Sequence, residues 1–345
     1  MKRRIFSLLL LLCLLAQPAS AADFIKWVEF DCSLEAMERA LALDVQTKEQ
    51  ELHLSWIDLL ALAAVYGGGK PTPAGVDRAV KVLAGPGPEE SLRENYKYFL
   101  YYQEAYSAAL GGLVGSYAIE LQAEDGSRYW KPAYGLKAFS PIAAGYGYCH
   151  CSDFGAGRSY GFKRRHLGND LMGSLGTPIV AVEGGTVEAL GWNQYGGWRV
   201  GIRSRDRKRY YYYAHLQKDH PYPDGLKEGD EVQAGQVIGF MGRTGYSTHE
   251  NVNNIQEVHL HFGLELIFDE SQKDCNSEIW IDVYNIVRLL SRHRSSVVRD
   301  ESGVWRRVYA YRDLDIEQAP GAESLPPQGL RLSINPRTVK IQGNP

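Results

Sequence analysis

Val258-His259-Leu260-His261-Phe262-Gly263-Leu264-Glu265-Leu266 alternates as a half-buried strand does, because strand side chains repeat every second residue. His259 and His261 therefore point to one face, a few ångströms apart, while Leu260 turns to the other. Two imidazoles side by side make a pair of metal ligands, or one ligand and one catalytic partner. Alone, a His-x-His pair is more often a polar edge strand whose histidines meet solvent. The flanking sequence decides against that bland reading.

The segments before it share the strand period. Pro178 to Val182, Thr186 to Leu190, Trp198 to Ser204, Arg209 to His215, Glu231 to Val232 and Gln236 to Met241 read as short strands. Gly184-Gly185, Tyr195-Gly196-Gly197, Arg205-Asp206 and Asp224-Gly225 punctuate them. Many short strands at close spacing predict an antiparallel β-sandwich or partly open barrel. Ile279 to Leu290 reads as a helix packed on that sheet. From Ala22 to about Arg128 the period is helical instead. Leu34, Met37, Leu41 and Val45 fall on one face behind a Ser33 cap. Ser55 to Tyr66 is closed by Gly67-Gly68-Gly69, and Thr72-Pro73 opens a third helix. Tyr96, Tyr98, Phe99, Tyr101, Tyr102 and Tyr106 read as packing residues of this segment. Ala123 to Lys131 reads as a linker. The expected class is α+β: a helical domain over 22–130, a β domain over 131–295, and a C-terminal extension over 296–345. The proline-rich end from Gln318 reads as a flexible tail.

A chain of 345 residues with 44% hydrophobic and 23% charged residues fits an ordinary globular protein of two domains. Residues 1–21 are of another kind. Lys2, Arg3 and Arg4 precede a short apolar run, and Ala19-Ser20-Ala21 forms an A-x-A site, the pattern of a secretory signal peptide cut after Ala21. The run is too short for a permanent membrane span, and no later segment approaches one. A secreted, extracytoplasmic protein is expected. Cleavage moves the formal net charge from −3 to −6, which leaves no electrostatic case for nucleic acid. Cys32, Cys149, Cys151 and Cys275 remain, an even number that permits disulfides in an oxidising compartment without choosing among the pairings. Cys149-His150-Cys151 as a metal site is the lesser reading, for want of a fourth ligand.

Two further segments carry histidines. In Arg165-His166-Leu167-Gly168-Asn169-Asp170 the glycine and asparagine argue for a turn that folds His166 and Asp170 onto one point. Zinc accepts imidazole nitrogen and carboxylate oxygen, and a catalytic zinc takes three protein ligands. In Tyr210-Tyr211-Tyr212-Tyr213-Ala214-His215-Leu216, strand alternation places Tyr211, Tyr213 and His215 on one face.

His166-x-x-x-Asp170, Tyr213-Ala214-His215-Leu216 and His259-Leu260-His261-Phe262, in that order, resemble the lysostaphin/LytM-type zinc endopeptidases. Those enzymes cut peptidoglycan cross-bridges or stem peptides. Gly176-Thr177-Pro178-Ile179-Val180-Ala181 and the glycine-punctuated run from Gly229 to Gly245 resemble the family too, so the likeness covers about Phe139 to Phe268. It implies that His166, Asp170 and His261 bind one zinc ion. His215 and His259 are then the catalytic pair, one taking the proton of a zinc-activated water and the other steadying the oxyanion. It implies a peptidoglycan peptide as substrate and an oxyanion or substrate contact for Tyr160. Two departures stand out. Tyr246 to Val258 lengthens the passage to His-x-His, so this loop, with His249, is expected to rim the groove. Phe154-Gly155-Ala156-Gly157-Arg158 follows the family's F-G-x-R pattern only loosely. A catalytically silent scaffold that binds the wall or a partner is the alternative, although no ligand is missing here, and a lipoyl-like adaptor, which has no need for the histidines and the aspartate, is another.

Overall fold

The computed structural model describes residues 24–85, 92, 94–273 and 276–317. The signal-like start, the tail from Gln318 and Cys275 lie outside the described residues.

Helices come first, with the caps their sequence announces. α1 (Leu34–Thr47) starts where Ser33 Oγ accepts from Ala36 N. α2 (Trp56–Tyr66) closes at Gly67. α3 (Pro73–Leu83) opens on Thr72, whose Oγ1 accepts from Gly75 N, with proline in the first turn. α4 is Phe99–Leu110. Phe99 and Tyr106 are buried as expected, but Tyr98 is exposed, and Tyr101 and Tyr102 line a cavity of about 290 Å³ with Trp27, Glu29 and Asp31. Buried Asp44 of α1 ties the layer together, accepting from Trp56 N, His53 Nε2 and Tyr134 Oη at 2.7–2.9 Å.

The stretch read as a linker is a hairpin. β1 (Val114–Gln122) pairs along its whole length with β2 (Arg128–Leu136) through a turn at Asp125-Gly126, with Gly126 at φ 83°. A polar Asp-Gly run suits an exposed hairpin turn as well as a linker. The segment boundary placed at residue 130 therefore falls inside β2.

Next come β3 (Cys149–His150), β4 (Gly157–Tyr160), β5 (Phe162–Arg165), β6 (Asn169–Met172), β7 (Pro178–Val180), β8 (Gly185–Asn193), β9 (Gly197–Ser204) and β10 (Arg209–Ala214). β11 (Glu231–Val232), β12 (Val237–Phe240), β13 (His259–Leu266) and β14 (Ile279–Ile281) complete this part. The main sheet is antiparallel, in the order β11-β8-β9-β10-β13-β6-β3, with β14 also on β13. Its ends stay open, so no barrel closes; β7 pairs with β12 and β4 with β5. The helix expected from Ile279 begins only at Tyr284, as α5 (Tyr284–Leu290), because β-branched Ile279 and Ile281 pair with Leu266 and Leu264 of β13. The described part of the C-terminal extension holds β15 (Val297–Arg299), β16 (Trp305–Arg307), β17 (Tyr311–Asp313) and α6 (Leu314–Glu317). β17 adds a third strand to the β1–β2 ribbon.

Helices followed by an antiparallel, unclosed sheet is thus the observed α+β architecture. One hydrophobic cluster runs from Met37, Leu59 and Leu110 in the helices to Tyr211, Phe262 and Val287 around the sheet. Buried Arg209 of β10 joins the layers. It donates to the last carbonyls of α4, Ser107 and Ala108, and ion-pairs with Glu183 and Asp206. A cation at a helix C-terminus is favoured by the unsatisfied carbonyls there.

Candidate metal centre

β13 lies between β10 and β6, and register does most of the positioning: His261 pairs with Asp170 on one side and Ala214 on the other. Alternation turns His259 and His261 to the cavity while Leu260 is fully buried. His166 comes from the turn between β5 and β6. That turn needs Gly168, since a Cβ there would stand 2.6 Å from Phe262 O and 2.8 Å from the His261 ring.

Three donor atoms converge. His166 Nε2 lies 2.8 Å from His261 Nδ1 and 3.1 Å from Asp170 Oδ1, and His261 Nδ1 lies 3.3 Å from Asp170 Oδ1. A tetrahedral ion with bonds of about 2.0 Å spaces its ligands about 3.3 Å apart. Two nitrogens and one oxygen at this spacing fit zinc. His166, Asp170 and His261 form the only such group found among the described residues.

Partners fix the tautomers. His166 Nδ1 faces the Asp153 carbonyl at 3.1 Å, His215 Nδ1 the Thr244 carbonyl at 2.9 Å, and His259 Nδ1 the Glu257 carbonyl at 2.9 Å. A carbonyl only accepts, so in each ring a hydrogen sits on Nδ1 and Nε2 is the atom that can offer a lone pair. Burial holds His215 and His261 below the ordinary imidazole range, with the neighbouring histidines adding to the effect. Burial alone would raise the Asp170 carboxyl; the His166 and His261 rings, 3.1 and 3.3 Å away, outweigh it and keep the carboxyl far below its usual range. An imidazole held neutral beside an ionised carboxylate, as His261 is beside Asp170, is what a divalent cation requires.

His215 reaches the cavity by a different route from the one its strand suggests. Alternation would place it with Tyr211 and Tyr213, which are buried in the core, with hydroxyls on Glu183 and on Val182 N. Instead β10 ends at Ala214 and His215 adopts φ 63°, which turns its ring to the side of Tyr212. Positive φ in a non-glycine residue costs free energy and concentrates at functional sites.

The structure also brings in residues the sequence reading passed over. Asp153 is a hub: Oδ2 accepts from Arg158 Nη2 at 2.6 Å and faces His166 Nδ1 at 3.2 Å, while Oδ1 accepts from Asp170 N. Arg158 Nη2 also donates to Asp170 Oδ2, leaving Oδ1 to face the histidines. Arg164, Tyr195, Tyr212 and Tyr246 line the cavity too. Tyr160 does not line it; its ring stacks on Tyr246 with centroids 5.1 Å apart. Tyr246 brings the long loop to the rim as expected, but His249 is exposed and outside the lining. Cys32, Cys149 and Cys151 are free thiols, so no disulfide forms among the described residues. The His150 ring packs on Tyr284, centroids 4.5 Å apart.

Helices leading into an open antiparallel sheet, with this histidine and aspartate set at its centre, define the LytM-type class. Residues 164–274 match the family model "Peptidase family M23", and the chain carries a domain of that family. It is 39% identical over 124 residues to the L-Ala--D-Glu endopeptidase of Bacillus subtilis, covering 36% of each chain. It is 39% identical over 98 residues to the glycyl-glycine endopeptidase ALE-1 of Staphylococcus capitis, covering 28% of this chain and 24% of that one. The chain thus spans about a third or less of the length of these curated relatives. A solved structure, the catalytic domain of the antimicrobial peptidase lysostaphin from Staphylococcus simulans, is 30% identical. That match covers 41% of this chain and 92% of that one, with a TM-score of 0.32.

Proposed function

We propose that this chain is an extracytoplasmic zinc metalloendopeptidase that hydrolyses peptide bonds in peptidoglycan stem peptides or cross-bridges. The observation that carries the reading is the triangle of His166 Nε2, Asp170 Oδ1 and His261 Nδ1, with two further imidazoles beside it. When bound there, zinc supplies Lewis-acid polarisation and lowers the pKa of a water. The protein's own groups do the rest. His215, with its Nδ1 hydrogen spent on Thr244, presents Nε2 as an acceptor for the proton of the attacking water. His259 Nε2, 3.7 Å from Asp170 Oδ1 in the same cavity, is placed to steady the developing oxyanion. The proton held on His215 then passes to the leaving amine, which balances the hydrolysis. The cavity, about 60 Å³, has room for one or two waters.

The two relatives' names suggest two kinds of bond, L-Ala–D-Glu and Gly–Gly. Among the described residues no helix is long and apolar enough to cross a membrane. A silent scaffold has no use for five such residues in one cavity, so that alternative is not favoured. The test is metal analysis of the purified full chain together with mass spectrometry of muropeptides released from several wall types. About one zinc per chain and new peptide termini are expected. Full zinc occupancy with unchanged muropeptides on every wall would overturn the reading.

A further inference from the structure

Two guanidinium groups face the cavity, and they are treated differently. Arg158 and Arg164 stand directly opposite each other in the β4–β5 hairpin, an unfavourable register for like charges. Arg158 is neutralised by Asp153 and Asp170. Arg164 has no carboxylate within ion-pair distance among the described residues. Its Nη2 donates to the uncharged hydroxyl of Tyr246 at 2.8 Å, and its Nε is buried without any acceptor. The rings of Tyr195 and Tyr246 both lie 5.3 Å from it and hold the guanidinium in place. Tyr246 itself sits at φ 49°, a costly conformation for a bulky residue.

A fixed, half-buried guanidinium lacking its counter-charge is a receptor for a carboxylate, which it binds through two parallel hydrogen bonds. Arg164 lines the same small cavity as His166, Asp170 and His261, so it reaches groups close to the cleaved bond. We propose that Arg164 anchors a substrate carboxylate adjoining the scissile bond. The substrate class is then an acidic peptide, such as a stem peptide with a free glutamyl carboxylate, and not an uncharged glycine bridge. This rests on the endopeptidase reading above and narrows it.

The experiment uses the full chain and three peptides: an Ala–D-Glu stem peptide, the same peptide with its side carboxylate as an amide, and pentaglycine. For the unaltered protein, kcat/KM is expected to fall about 10- to 100-fold on amidation, mostly through KM, the scale of a hydrogen bond to a charged group. Pentaglycine should be the poorest substrate. Arg164→Gln should lose the same factor on the acid peptide and little on the amide, and Arg164→Lys should recover part of it. Equal use of acid and amide peptides, or an equal loss on both in Arg164→Gln, would overturn the proposal. So would pentaglycine cleavage as good as that of the acid peptide. Calorimetric binding of acid and amide peptides to the unaltered and Arg164→Gln proteins keeps the two readings apart. If no peptide is cleaved, the endopeptidase reading fails, yet a preference for the acid peptide that vanishes in Arg164→Gln still upholds the anchor, and equal binding overturns it.

Discussion

Replacing Asp153 by Asn tests how far the metal centre depends on a residue that touches no metal. The amide keeps the shape of the side chain, and its oxygen can still accept from Asp170 N, now 3.2 Å from Oδ1. Two things are lost. The charge that holds Arg158 at 2.6 Å disappears, so Arg158 bears on Asp170 Oδ2 alone and draws electron density from the proposed zinc ligand. One of the two acceptors facing His166 Nδ1 disappears as well, leaving the Asp153 carbonyl at 3.1 Å. Changes behind metal ligands weaken binding about 10–100-fold, or about 1.4–2.7 kcal/mol. The surviving carbonyl argues for the lower part of that range and the lost charge for the upper. The assay is competition for zinc against a chromophoric chelator at fixed pH, with circular dichroism to confirm that the variant is folded. A folded Asp153→Asn protein with unchanged zinc affinity would refute the reasoning.

Three other expectations follow from the same geometry. His261→Ala should lose both bound zinc and peptide hydrolysis; retained hydrolysis, measured by release of new amino termini, would contradict the ligand set. Arg209→Leu should cost about 3–5 kcal/mol in denaturant unfolding, because it strands Glu183 and uncovers the carbonyls ending α4. A change under about 1 kcal/mol would show the pair to be dispensable. His150 is pushed down to about 4, by burial first and Arg288 second, against about 6.5 in an unfolded chain. Its neutral form therefore stabilises the fold fully above pH 6.5, and that contribution falls away as pH drops from 6.5 to about 4. His150→Phe should flatten the stability profile in that window, and an unchanged slope would exclude the residue as its cause.

Much of this molecule was legible beforehand because its signals are local. Ser33 and Thr72 cap helices since a short side-chain oxygen satisfies the first N–H groups, and period two fixed the shared face of His259 and His261. Gly168 and Asn169 marked a turn, and the turn delivers His166 to Asp170. What escaped depends on tertiary context. Asp125-Gly126 suits a turn or a linker equally, and only pairing along β1 and β2 decides. Ile279 and Ile281 look helical beside Leu289 and Leu290 until β13 offers them an edge. His215 defeated the alternation rule because the strand stops one residue earlier and the backbone crosses to positive φ. Asp153 lies in a loop without period, so nothing in its neighbours announces that it supports the side chains of Arg158 and His166 and the backbone of Asp170.

The continuous core under helices and sheet has a thermodynamic consequence. Two layers that bury each other's apolar faces cannot melt separately, so heating should give one calorimetric peak for both. Whatever occupies the cavity on β13 then protects α1 to α4 against proteases, even though no helix contributes an atom to the cavity lining.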